Sequence, residues 1–129
     1  MSKFLKLDKN HKEIVSFLKE NGISVYDACR AGNGLTDLIT TNSNFDIGFL
    51  ELKLKKGSVF QRSQIEFMAH FVGAVAFVDN KQDALLFALC PKDASLKPRQ
   101  KFKLNELLLA DKRKKTFTVG EIRRTLMEN

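Results

Sequence analysis

The sequence predicts an α/β protein, a mixed sheet of about five strands flanked by helices in the order α-β-β-β-α-β-β. Three observations carry that prediction. Residues 48–57, GFLELKLKKG, alternate with period two, so Leu50, Leu52 and Leu54 share one face of a strand. An apolar helical stretch ending at Gly73 feeds the near-continuous apolar run Ala74–Val78, which reads as a crossover onto a buried strand. Residues 9–21 place Ile14, Val15, Phe17 and Leu18 close to helical spacing.

In chain order, the first helix stops at Asn21-Gly22. A strand begins at Ile23 and fades near Cys29. Asn33-Gly34 then signals a hairpin between two strand candidates. The second strand spans Leu38–Thr41, and Thr41-Asn42-Ser43-Asn44 forms a polar turn before the central strand. Two overlapping caps, Ser58-x-x-Gln61 and Ser63-x-x-Glu66, offer alternative starts for the helix that ends at Gly73. After the buried strand 74–78, residues Ala84–Leu89 read as a further strand ending at Pro91. Lys97–Lys101 reads as a basic loop and Leu104–Ala110 as a short helix or hydrophobic clip. Thr118-x-x-Glu121 opens a last helix over Ile122–Met127. The expected division is a core over 1–91 and a basic C-terminal extension of the same domain over 92–129.

The 129 residues suit one domain with a real core, and 43% hydrophobic and 29% charged content is ordinary for a globular chain. No apolar run reaches the roughly 18 residues of a membrane span, and the start is too short in apolar residues for a secretion signal. Cys29 and Cys90 are far apart, with no CxxC and no clustered His, so neither a disulfide nor a zinc pattern is expected. An intracellular, cytoplasmic location follows as the expectation (host cytoplasm for a viral chain). The net charge of +7 is uneven. Residues 1–56 carry nine basic and seven acidic side chains, residues 57–91 two and three, and residues 92–129 eleven and five. A segment that basic, without aromatic membrane anchors, points to nucleic acid as the partner.

The chemistry concentrates around the central strand. Glu51 and Lys53 share a face, a carboxylate beside an ammonium, where the strand leaves the core. An edge strand with a charged solvent face is the bland alternative. Asp37 opens the preceding strand, a place where Asp is disfavoured unless it caps or serves a site. A strand pair would bring Asp37 beside Glu51, whereas Asp46 lies about 16 Å back along the same extended strand. Two carboxylates and a lysine in one cleft are what a divalent-metal phosphodiesterase needs, since hard cations take oxygen ligands. Gln64, near a helix N-terminus, can orient a phosphate beside free N–H groups. His70, on a mostly apolar helix without an acidic neighbour in sequence, reads as structural.

Asp37 followed by Glu51-Leu52-Lys53 resembles the PD-(D/E)XK nuclease signature. From Glu13 to Asp79 the chain resembles the VRR-NUC branch of that superfamily, which includes small phage proteins and Holliday-junction-resolving enzymes. The likeness covers Glu13, the Gly34–Leu38 segment, Glu51-Leu52-Lys53, and Arg62-Ser63-Gln64 before the helix ending at Gly73. Thr36 stands where the family usually has proline, a position that shapes backbone and ligates nothing. The resemblance implies a restriction-endonuclease-like fold and a metal-dependent DNA endonuclease selective for branched DNA such as Holliday junctions. It assigns Mg²⁺ or Mn²⁺ to Asp37, Glu51 and the backbone carbonyl of Leu52, with Glu13 as an additional metal-proximal carboxylate, whereas from its place in the first turns of the helix Glu13 reads as a solvent-exposed acid. Lys53 would hold the attacking water or stabilise phosphoryl charge, and Gln64 completes the catalytic set. Arg30, Lys55, Lys56, Arg62, Lys112, Arg113, Lys114 and Lys115 are the expected DNA contacts. A homodimer would suit a two-fold substrate. The alternative is a catalytically idle nucleic-acid-binding module of the same fold; loss of Asp37, Glu51 or Lys53 would favour it, and all three are present.

Overall fold

The computed structural model of the chain describes residues 9–29, 34–54 and 57–128. Helix α1 (Lys9–Glu20) precedes strands β1 (Ser24–Asp27), β2 (Leu38–Thr41) and β3 (Ile47–Leu52). Then come β4 (Val59–Gln61), α2 (Arg62–His70), β5 (Val75–Val78), α3 (Lys81–Leu89), α4 (Pro91–Ala94), α5 (Pro98–Ala110), β6 (Thr116–Thr118) and α6 (Val119–Met127). The main sheet has four strands in the order β1-β2-β3-β5. β1, β2 and β3 pair antiparallel, and β5 lies parallel to β3, so the sheet is mixed. β4 and β6 form a separate antiparallel pair.

β3 is a central strand, not an edge, and both of its faces are covered. Leu50 and Leu52 join Ile14, Leu18, Leu38 and Phe87 in one apolar cluster. Phe49, on the opposite face, packs against a second cluster containing Phe60, Ile65, Met68 and Val75. Its ring meets Phe67 and Phe71 at 5.8 and 4.5 Å between centroids, distances at which tilted rings attract. From Gly48 to Leu52 both faces of β3 are therefore covered, whereas Ile47 at its start is exposed.

Three expectations are corrected. Residues 84–89 are helical, not a strand, because the Asn80 side chain caps α3 by accepting from the Asp83 N–H at 2.8 Å. Ala84, Phe87 and Ala88 then share the buried face, at helical spacing. Gly48 makes room for Phe87, since a Cβ there would collide with that ring. A short apolar run does not distinguish strand from helix by period alone, and here the cap decides. Lys97–Lys101 is not a loop: Pro98 starts α5 at its first position, where no N–H is missed. Lys101 Nζ then donates to the Phe71 and Gly73 carbonyls at 2.7 and 2.8 Å. Helix α2 begins between the two expected starts, with the Gln61 N–H donating to Gln64 Oε1 at 2.8 Å.

Residues 92–128 are packed into the body of the protein. Leu96, Leu104, Leu108, Phe117 and Ile122 complete the second cluster. Arg62 fastens this half to α2, its guanidinium donating to the carbonyls of Leu108, Asp111 and Lys114 at 2.8, 3.0 and 3.1 Å. Arg62→Ala leaves those carbonyls without their charged donor, so unfolding in urea should show a loss of about 2–3 kcal/mol. An unchanged midpoint would show the clamp to be incidental. Among the described residues no helix is long and apolar enough to cross a membrane.

Candidate active site

The β2–β3 register brings the site together. Leu38 pairs with Leu50, so Asp37, one residue before β2, falls opposite Glu51. Leu38 and Leu50 point into the first cluster, which leaves Asp37 and Glu51 on the other face. Asp37 Oδ2 accepts from the Leu52 N–H at 2.9 Å, taking over the ladder where β2 has not yet begun. The Leu52 carbonyl leaves the chain on the same side as that N–H. Gly34 holds the approach to Asp37 at φ +82°, seated so close to the Ser63 backbone that a Cβ would collide with it. The loop carrying Asp37 is thereby pressed against the start of α2.

Asp37, Glu51, Leu52, Lys53 and Gln64 line one pocket of about 250 Å³, together with His11, Leu54 and Ser58. Glu51 is 2% exposed. Its Oε2 accepts from Gln64 Nε2 at 2.7 Å and meets Lys53 Nζ at 3.1 Å. Lys53 Nζ also donates to Gln64 Oε1 at 3.2 Å and lies 4.8 Å above the Phe60 ring. The Lys53 N–H donates to the Val78 carbonyl at 2.9 Å, which keeps the chain straight just past β3. Gln64 thus bridges acid and base, a tighter role than the phosphate contact expected of it.

Glu51 Oε1, by contrast, is buried with no hydrogen-bond partner among the described residues. A buried carboxylate oxygen left so is costly unless a cation completes it. Burial first, and then the neighbouring Asp37 charge, push the Glu51 carboxyl up to about 7 against the pull of Lys53. Burial raises Asp37 too, against the Leu52 N–H and Lys53. Two mutually repelling carboxylates around one uncompleted buried oxygen fit a hard divalent cation. Asp37, Glu51 and the Leu52 carbonyl are the groups that would hold it.

The remaining expected residues are placed as follows. Glu13 is exposed and faces a separate groove with Lys12, Phe17 and Lys81, because two helical positions turn it by about 200° from His11. His11 is the α1 residue that reaches the pocket, on the same stripe as Ile14 and Leu18. Spacing from those two residues marks it as inward-facing. Arg62 is occupied by its carbonyl clamp, and Lys114 by Glu121 at 2.6 Å and the Phe117 ring. Lys112, Arg113 and Lys115 are exposed. Arg30, Lys55 and Lys56 lie outside the described residues. His70 pairs with Asn105 Oδ1 at 2.7 Å and does not line the pocket of Asp37 and Glu51. Asp46 donates its backbone N–H to Asn42 Oδ1 at 3.1 Å in the β2–β3 turn, at the far end of the strand from Glu51. No protein-family model, curated protein or solved structure matches the chain.

Proposed function

We propose that the protein is a metal-dependent DNA endonuclease of the PD-(D/E)XK type, with a restriction-endonuclease-like fold and Mg²⁺ or Mn²⁺ at Asp37, Glu51 and the Leu52 carbonyl. The observation that carries this reading is the buried Glu51 with an uncompleted Oε1, facing Asp37 and ion-paired with Lys53. A bound cation of this kind polarises a phosphoryl oxygen and lowers the pKa of water. The chain's own residues supply the rest. Asp37 and Glu51 concentrate negative charge where the cation binds, and their β2–β3 pairing fixes the spacing before ligand arrives. Lys53, held by Glu51 and Gln64 at 3.1 and 3.2 Å, presents an oriented ammonium to the pentavalent phosphorus and its attacking water. Gln64 keeps that ammonium aimed by accepting from it with one end while donating to Glu51 with the other.

DNA is the substrate class that the basic surface favours, with branched junctions as the expected form and two copies acting on a two-fold junction. Supercoiled plasmid and a synthetic four-way junction, incubated with Mg²⁺, Mn²⁺ or chelator, test the reading. Nicking with either metal and none in chelator is the expected result, and metal-independent cutting would refute it.

Binding should rest on the exposed cations of the α5–β6 loop. Replacing Lys112, Arg113 and Lys115 by Ala should flatten the log K against log salt slope by up to about 3, with little change in single-turnover rate at saturating DNA. An unchanged slope would mean that these side chains are merely solvated.

A further inference from the structure

We propose that His11, Asp27 and Cys29 form a second metal site, for a borderline-soft divalent ion of the Zn²⁺ class, at the rim of the Asp37–Glu51 pocket. One donor atom from each of the three lies within 4.8 Å of the others. They come from α1, from the last residue of β1 and from the loop just beyond it, so no linear spacing announces them. That is why the sequence shows no zinc pattern.

The geometry is largely set before metal arrives. His11 is 7% exposed and held by the packing of α1. Its Nε2 lies 3.0 Å from Asp27 Oδ2. Asp27 Oδ1 accepts from the Cys29 N–H at 3.2 Å, a turn that folds Cys29 back over the carboxylate. Ligands of a tetrahedral zinc ion stand roughly 3.3–3.8 Å apart, so side-chain shifts of about 1 Å close the set. The ion replaces the proton that His11 and Asp27 share. Cys29 binds as thiolate, releasing its proton to solvent, and His11 binds as neutral imidazole. A water takes the fourth position, as in open zinc sites.

The donor chemistry separates this site from its neighbour. Sulfur with imidazole nitrogen selects zinc-like ions, whereas the Asp37–Glu51 set is all oxygen and suits Mg²⁺. His11 lines the pocket that holds Asp37 and Glu51, so an ion bound there places its charge against the nuclease carboxylates. Inhibition of cleavage by Zn²⁺ is the consequence, and that part alone rests on the nuclease reading.

The test is a calorimetric titration of the reduced protein with ZnCl₂, and with CoCl₂ read by absorption, in the absence of DNA. Wild type should bind one Zn²⁺ per chain, and Co²⁺ should give thiolate-to-metal charge-transfer absorption. Cys29→Ser should weaken Zn²⁺ by at least about tenfold and remove that absorption, and His11→Gln should weaken Zn²⁺ similarly. Glu51→Gln should keep the one-to-one stoichiometry and the charge-transfer absorption, with Zn²⁺ affinity lowered only as far as the lost neighbouring charge requires. Unaltered Zn²⁺ affinity in Cys29→Ser, or absence of the charge-transfer signal in wild type, overturns the proposal. Loss of the charge-transfer absorption in Glu51→Gln overturns it as well, by placing the ion among the nuclease carboxylates.

Discussion

Lys53→Ala should lower the single-turnover cleavage rate at saturating DNA by about a hundred- to a thousandfold while the protein still binds Mn²⁺. The Lys53 side chain is only 10% exposed and sits 3.1 Å from Glu51, so its charge acts in a poorly screened pocket. It holds no metal in this account. Removing it takes away stabilisation that grows as charge develops on the phosphoryl group, and so lowers turnover more than binding. Alanine also strips Glu51 of its cation, which makes that carboxylate cling to a proton more tightly and deepens the defect near neutral pH. Glu51→Gln should abolish cleavage too, but with loss of Mn²⁺ binding. The two variants therefore separate ligand from electrostatic helper. Full Mn²⁺ binding by Glu51→Gln, or cleavage by Lys53→Ala within tenfold of wild type, would overturn these roles.

The second large effect concerns pH. In chelator, stability should fall by roughly 3 kcal/mol as pH rises from 4.5 to above 7, because the Glu51 carboxyl moves from an ordinary 4.5 to about 7 on folding. The direction follows from proton counting. Below 4.5 both states hold the proton, and between 4.5 and about 7 only the folded state does, so raising pH favours unfolding. Asp37, raised in the same direction by burial, adds to the trend. Saturating Mg²⁺ should shrink the slope, since a cation holds the carboxylates ionised. At subsaturating Mg²⁺, where the cation must displace the proton, cleavage should rise with pH and level off above about 7. Urea midpoints measured across this range for wild type and Glu51→Gln check the prediction. The same slope in both proteins would assign the pH dependence to other groups.

The site was legible in the sequence largely because strands state their geometry in period two. Glu51 and Lys53 share a face by spacing alone, and an Asp at the mouth of an apolar strand has few structural reasons to be there. A single antiparallel register then brings Asp37 opposite Glu51. Helical phase made the opposite case. Glu13 was expected near the metal through the family resemblance alone, but His11 occupies the inward stripe, and Glu13 is the solvent-exposed acid that its place on the helix suggests. Residues 84–89 misled because ALLFAL satisfies either period, and Asn80 with Asp83 was a cap that composition alone did not bring forward. The three-residue strands β4 and β6 were too short to show any period. Arg62 shows a further limit: it stood among the expected DNA contacts, and only the fold brings the carbonyls of Leu108, Asp111 and Lys114 around its guanidinium.

The most direct measurement of the central claim is nicking of supercoiled DNA at pH 8, under excess protein, as a function of Mn²⁺ for wild type and Glu51→Gln. The expected wild-type rate saturates with Mn²⁺ and vanishes in chelator, and Glu51→Gln should not nick although its melting remains cooperative. Nicking that survives chelation, or equal nicking by the variant, would contradict it.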